Sequence, residues 1–343
     1  MAKKILVTGG LGYIGSHTTC ELLRQDFEVL VVDNLANADI DCLDRIEDSC
    51  GKRPDFDPLE LCDAKAVEDY FKSHPDIDGV IHFAAYKAVG ESVEQPLKYY
   101  YNNLNSLIHL LEGIQHCDKL PPLVFSSSCT VYGQADQMPI QETAPFKPAA
   151  SPYGQTKQIN EKILADFAQQ ASSFSAIALR YFNPIGAHPS GNLGEIQKGK
   201  PEALLPFITQ TALGMHPELV VFGEDYPTRD GSCIRDFIHI MDLVSAHISA
   251  LEYLFKQESA IGLEAINVGT GIGTTVLEMI RGFEEVNAIK LPYRIGKRRP
   301  GDVIEAYANI EKATQLLGWT PKYSLADALK TAWSWEQKFR AQR

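Results

Sequence analysis

Residues 3–33 read KKILVTGGLGYIGSHTTCELLRQDFEVLVVD, and this stretch decides the fold. Ile5, Leu6 and Val7 form a short apolar run of the kind shown by a strand buried on both faces. Gly9, Gly12 and Gly15 follow at intervals of three, and Ile14, Thr18 and Leu22 then recur every four residues, as one helix face does. A second β-branched run, Glu28 to Val32, ends in Asp33. A dinucleotide site asks for these parts: a residue without Cβ at the turn, a second glycine where backbone nears a pyrophosphate, and a third where helix packs on strand. The helix N-terminus offers unpaired N–H groups and a positive dipole end to phosphate. Asp33 can accept from both adenosine ribose hydroxyls and would repel a 2′-phosphate, which favours NAD over NADP. Glycines alone would also fit an ordinary strand–turn–helix corner. Here the strand, the helix and the distant acid all stand where the mechanism needs them.

Outward from this unit the rhythm continues. Helix-compatible residues 35–50, a strand at Leu59–Leu61, a helix at Ala64–Ser73 and a strand at Gly79–Ala85 are expected, then a helix at Tyr99–Ile114. A strand at Leu123–Ser128, a helix at Pro152–Gln169 and a strand at Ser175–Phe182 follow. Such alternation predicts an α/β fold with a doubly wound parallel (Rossmann) sheet, ligands lying at the strands' carboxyl edge. Past Asn183 the rhythm breaks: residues 184–231 are rich in Gly and Pro and read as loops covering a substrate. Residues 236–260 read as one helix and Ala265–Val268 as a strand returning to the main sheet, with 271–343 mixed. The expected division is residues 1–183 plus about 236–270 as the NAD-binding unit. About 184–235 plus 271–343 would form a smaller mixed α/β substrate domain.

The chain has 343 residues, is 45% hydrophobic and carries a net charge of -12, enough for a large core and unfavourable for nucleic-acid binding. Its basic cluster, Lys297-Arg298-Arg299, is short and suits a small phosphate ligand. No apolar run approaches the roughly 20 residues of a membrane span, and the first strand begins too early for a signal peptide. The seven cysteines, an odd number without C-x-x-C, read as reduced cytoplasmic thiols rather than disulfides or a metal site.

The chemistry is expected between Ser126 and Lys157. Tyr153 and Lys157 are four apart and share a helix face. A free phenol, with a reference pKa of about 10, is a poor base at neutral pH. A fixed ammonium and the nicotinamide cation would both favour its phenolate. Ser128, in Ser-Ser-Ser-Cys-Thr at the preceding strand's end, would relay between a sugar hydroxyl and Tyr153. A bare Y-x-x-x-K is also a common exposed helix pair; its place after a dinucleotide loop and a hydroxyl-rich strand end makes it catalytic.

With these motifs in view, the sequence resembles the UDP-glucose 4-epimerase family of extended short-chain dehydrogenase/reductases over essentially its whole length. The resemblance rests on VTGGLGYIGSH, FSSSCTVYG, SPYGQTK, RRPGDV and above all ALRYFNPIGAHPSG. It implies a tightly held NAD that is not consumed, reversible oxidation at C4 of a UDP-hexose, and a homodimer through a helix pair that includes the Tyr153–Lys157 helix. It also implies cofactor contacts at Gly9, Gly12, Tyr13, Ile14, Gly15, Asp33, Asn34, Asn37, Glu60 and Leu61. Further cofactor contacts fall on Phe83, Ala84, Lys87, Asn102, Ser126, Tyr153, Lys157 and Tyr181. Substrate contacts would come from Lys87, Ser128, Tyr153, Phe182, Asn183, Ala203, Leu204, Phe222, Arg235, Arg299, Asp302 and Ala306. Arg235 and Arg299 would clamp the pyrophosphate, and Asp302 would accept from the uridine ribose.

Four positions bear on the details. Glu60 replaces a usual Asp near adenine, Ala38 a Ser near the ribose, and Ala203 an Asn facing the nucleotide sugar. Ala306 stands where some members carry a large Tyr, and its small side chain leaves space for an N-acetyl group at C2. Two other readings compete. A nucleotide-sugar 4,6-dehydratase or decarboxylase of the same superfamily is one, and a dehydratase would need carboxylates beside the catalytic hydroxyl, where this chain has Ser127 and Cys129. A cofactor-sensing protein without catalysis would be expected to lack Tyr153 or Lys157, and both are present.

Overall fold

In the computed structural model, which describes residues 2–196, 201, 203–299 and 302–341, strands and helices alternate through the first half. In order they are β1 (Lys4–Thr8), α1 (Tyr13–Arg24), β2 (Glu28–Asp33), α2 (Cys42–Cys50), β3 (Asp55–Pro58) and α3 (Ala64–Ser73). There follow β4 (Gly79–His82), α4 (Val89–Glu94), α5 (Pro96–Gly113), β5 (Leu123–Ser128), α6 (Pro152–Gln170) and β6 (Ser175–Tyr181). The second half adds β7 (Asn183–Ile185), α7 (Leu204–Ala212), β8 (Leu219–Phe222), β9 (Ile234–His239), α8 (Ile240–Phe255) and β10 (Gly262–Val268). It ends with β11 (Gly273–Thr275), α9 (Val276–Asn287), β12 (Tyr293–Gly296), β13 (Glu305–Ala306), α10 (Glu311–Leu317) and α11 (Leu325–Ala341).

Seven strands form one parallel sheet in the order β10-β6-β5-β4-β1-β2-β3. The pleat divides each strand between two cores. Ile5, Val7, Val29 and Val31 pack with the Leu243–Leu251 side of α8. Leu6, Leu30 and Val32 pack with Val67 and Phe71 of α3 and Leu107 of α5 on the other face. The strand order reverses between β1 and β4, which opens a crevice at their carboxyl ends. Beside it, β7, β11 and β13 all pair with β9, and β8 pairs with β12. A separate core of Ile208, Phe283, Leu329 and their neighbours lies under α7, α9 and α11.

Several expected boundaries move. The strand placed at Leu59–Leu61 is instead β3, whose polar residues tolerate the sheet edge beside β2, while Leu59 and Leu61 are buried in the turn after it. The helix expected from residue 35 starts at Cys42, because Leu35 takes a left-handed φ of 60° that no α-helix accepts. The strand expected to run through Ala85 ends at His82. The single helix over 236–260 is a strand followed by a helix: Ile234–His239 bonds to strands on both sides, and α8 begins only at Ile240. The loop-rich stretch 184–231 also contains α7 and β8.

Candidate active site

The glycine loop fits a pyrophosphate for steric reasons that can be read off its backbone. Gly9 has a φ of +66°, and a Cβ there would sit 2.8 Å from the Ala84 amide nitrogen. A Cβ on Gly15 would lie 2.2 Å from the Gly9 carbonyl oxygen, so helix and loop touch only because it is absent. Gly12 caps α1 without a side-chain bond, and the first turn carries no acid. Its N–H groups and dipole are thus left for an anion. Tyr13 is fixed by donating its hydroxyl to the Gly186 carbonyl at 2.7 Å, and Ile14 packs on the sheet core.

Asp33 is buried at the end of β2 and accepts from the Leu11 and Leu35 amides at 3.2 and 2.9 Å. These two amide bonds fix the orientation of its carboxylate. Asn34 donates to Glu60 at 2.8 Å, and Glu60 also accepts from the Cys62 amide, so the longer acid at this position is held in place. Asn37 and Ala38 line a small cavity with Gly12 and Tyr13, and Leu61 is buried beneath. Phe83 and Ala84 follow β4, the Phe83 ring standing 4.7 Å from that of His247, which in turn faces Tyr181. Asn102 is held through Asn103, and Lys87 donates to Glu195 at 2.6 Å while standing 5.8 Å over the Tyr13 ring.

At the carboxyl end of β5, Ser126, Ser127 and Ser128 are all buried. α6 starts beside them because Ser151 caps it and Pro152 opens it. Lys157 Nζ donates to the Ser126 carbonyl at 2.6 Å and lies 5.9 Å from the Tyr153 ring centre. Ser128 is close enough to favour the Tyr153 phenolate, and its Oγ accepts from the Thr130 amide at 3.2 Å. Tyr181 donates to Ser126 Oγ at 2.9 Å.

The electrostatics correct one expectation. Burial, seconded by Tyr181, pushes the Tyr153 phenol well up, and the nearby Ser128 hydroxyl opposes this only in part. Burial also lowers Lys157 from 10.5 to about 7, against the pull of Glu161. The ammonium therefore does not by itself make Tyr153 a phenolate, because desolvation penalises both charges and Nζ is spent on a carbonyl.

A second group gathers around Asp302. Arg235 on β9 and Arg299 both approach Asp302 Oδ1, at 3.7 and 2.8 Å. The Arg299 guanidinium is 5.8 Å from the half-exposed Phe222 ring. Ala306 on β13 is in register with Arg235 and is buried with Phe182, Val131 and Tyr132. Phe182 lies at the β6–β7 junction, and Asn183 opens β7, in register with Phe237 of β9. Ala203 is exposed at the N-cap of α7, and Leu204 packs on the core below that helix. Among the described residues no side-chain hydrogen bond ties either to the arginine pair.

A family model described as GDP-mannose 4,6 dehydratase matches residues 6–332. The UDP-glucose 4-epimerase of Bacillus subtilis (strain 168) is 46% identical over 332 residues, covering 97% of this chain and 96% of the relative. That of Yersinia enterocolitica is 47% identical over 333 residues, 97% of each. The chain belongs to the UDP-glucose 4-epimerase family. A solved UDP-glucose-4-epimerase from Stenotrophomonas maltophila, with bound NAD and formylated UDP-arabinopyranose, superposes with a TM-score of 0.95 at 42% identity, covering 99% of this chain and 100% of that one.

Within the family the site lacks a dehydratase's acids. Ser127 is bonded to Glu161, whose carboxylate is engaged by Arg180, and Cys129 offers a thiol. Sequence reasoning missed Glu195, the partner of Lys87, and Glu161. The latter left a signal, since it stands four residues after Lys157 on the same helix face; the former left none, its contact spanning 108 residues.

Proposed function

We propose that this chain interconverts UDP-glucose and UDP-galactose with NAD as a resident cofactor. The reading is carried by the glycine loop after β1 and the Ser128, Tyr153 and Lys157 side chains beside the end of β5, with Arg235 close enough to act on Cys129 next to Ser128. Gly9, Gly12 and Gly15 would admit the dinucleotide, Asp33 would take its adenosine ribose, and Lys157 and Tyr181 would flank the nicotinamide end. When bound, NAD supplies reversible two-electron oxidation of the sugar carbon and a positive charge beside the phenol. Tyr153 Oη receives the proton of the 4-hydroxyl through or beside Ser128 Oγ, and returns it when the 4-keto sugar has turned over. Arg235 and Arg299 hold the pyrophosphate by charge-assisted bonds, so the hexose can turn while the nucleotide stays fixed.

Ala306 extends this reading to UDP-N-acetylglucosamine, because beside Phe182 it adds only a methyl group where a larger side chain would take up more of that wall. The same reading divides the chain into residues 1–183 plus about 236–270 for NAD, and about 184–235 plus 271–343 for the UDP-sugar. It makes the chain a homodimer: Val93, Leu97 and Tyr101 on α4 and α5, beside α6, expose a large apolar face. A cytoplasmic location fits seven cysteines that are all free. Among the described residues no helix is long and apolar enough to cross a membrane.

The test is the absorbance of nucleotide bound to purified protein, together with product analysis on UDP-galactose. UDP-glucose as the sole sugar product is expected. A 4-keto-6-deoxy product would mean a dehydratase, and unchanged substrate with bound nucleotide would mean a sensor.

A further inference from the structure

Beneath the catalytic group runs a buried polar chain that the proposed chemistry does not use. Glu161 and Arg180 are 5% and 6% exposed. Arg180 Nε donates to Glu161 Oε1 at 2.9 Å and Nη2 to Oε2 at 2.6 Å, a two-pronged pair, and Ser127 Oγ donates to Oε1 at 2.5 Å. On its far side Arg180 Nη1 donates to the Tyr132 hydroxyl and the Glu142 carbonyl, both at 3.0 Å. Tyr132 donates to Asn267 Oδ1 at 2.6 Å, and Asn267 Nδ2 to the Ile140 carbonyl at 2.9 Å. Ile140 in turn exchanges backbone bonds with Tyr307 and Asn309, next to Ala306.

Each end of this chain adjoins a site residue. Ser127 precedes Ser128, Arg180 precedes Tyr181, Glu161 lies one turn past Lys157, and Tyr307 follows Ala306. A buried ion pair is weak evidence for stability, since well-packed apolar residues often replace one without loss. Its worth here lies in what it joins: the two prongs tie α6 to β6, and the Ser127 bond ties the same carboxylate to β5 one residue before Ser128.

We propose that the Glu161–Arg180 pair is a positioning device that seats the Tyr153–Lys157 helix against Ser128 and locks both to the Ala306 wall of the sugar pocket. The inference rests on the epimerase reading above. Glu161 also faces Lys157 electrostatically, as its carboxylate favours the ammonium. The other groups around Lys157 are Tyr153 on α6, His82 on β4, and the Ser126 carbonyl and Phe125 ring on β5.

The test uses the cofactor-loaded enzyme with Glu161→Gln and Ser127→Ala. The first keeps shape and loses charge; the second deletes one bond and leaves the ion pair. In Glu161→Gln, kcat should fall about tenfold or more while KM for the UDP-sugar stays within about threefold, because misplacement acts on the reacting geometry. The alkaline limb of its kcat profile should move to lower pH, since Lys157 then gives up its proton more readily. Ser127→Ala should lower kcat in the same direction by a smaller factor. A merely structural pair would lower Tm and leave kcat and that limb unmoved, and this result in either folded variant overturns the proposal. Should Glu161→Gln fail to fold, native kcat in Ser127→Ala overturns it and a selective loss of kcat supports it. An inactive native chain would instead overturn the epimerase reading, so the two failures are distinct.

Discussion

Replacing Lys157 with Met should stabilise the protein at neutral pH while abolishing turnover. Burial lowers the lysine from 10.5 to about 7 in the folded chain. Between those values the unfolded chain binds more protons than the folded one, so this group's contribution to stability rises with pH across that window. Below about pH 7 the burial of the ammonium costs the fold roughly 5 kcal/mol. At pH 9 the cost has dropped to roughly 2 kcal/mol. Met fills similar space and carries no charge, but it strands the Ser126 carbonyl that Lys157 Nζ meets at 2.6 Å. An unmade buried bond costs roughly 1–3 kcal/mol. The variant should therefore be more stable by roughly 2 kcal/mol or more at pH 7, and the two proteins should converge near pH 9. Urea titrations followed by tryptophan fluorescence, on both proteins without added nucleotide, measure this directly. A variant less stable at pH 7, or a difference that stays constant from pH 7 to 9, would refute the argument from desolvation.

Tyr153→Phe should keep UDP-sugar binding, measured by calorimetry, and lose turnover by about 10²-fold or more, the lower end of general acid–base contributions. Nucleotide released by denaturing the purified protein should be NAD or NADH on chromatography; mostly NADP(H) would show that Asp33 does not select against a 2′-phosphate. Ala306→Tyr should abolish conversion of UDP-N-acetylglucosamine selectively, read as kcat/KM for acetylated and plain sugars. Absence of the acetylated activity in the native chain would show that Ala306 is not a sufficient gate.

What was legible in the sequence follows physical range. The glycine loop, Asp33 and the Tyr153–Lys157 spacing are local, so backbone sterics and helix periodicity write them directly into the chain. Six of the seven strands of the parallel sheet follow from apolar runs, while the polar β3 does not. The boundaries that moved are set by tertiary partners. β3 is a strand because β2 needs an edge neighbour, and Ile234–His239 extends because β7, β11 and β13 pair with it. Its alternation of Ile, Asp and Ile with Arg, Phe and His sits close to the helical pattern of α8 and was absorbed into it. Arg235, Arg299 and Asp302 were placed by resemblance alone; as charges in sequence they look like solvated surface groups. Their meeting at one carboxylate depends on strand pairing that spacing cannot reveal.

The same reasoning explains why the site is poor in charge by itself. Desolvation moves Tyr153 up and Lys157 down, so both drift toward neutral forms. His82, beside Lys157, is lowered to about 3 by burial and the lysine, and adds no cation. The carboxylate nearest the dyad, Glu161, is taken by Arg180. A fixed phenolate would take protons from water, whereas a phenol that ionises only when a positive charge arrives ties proton removal to the loaded site. The burial that destabilises Lys157 is thus the same feature that makes Tyr153 dependent on its neighbours, and removing that burial would relieve one and disarm the other.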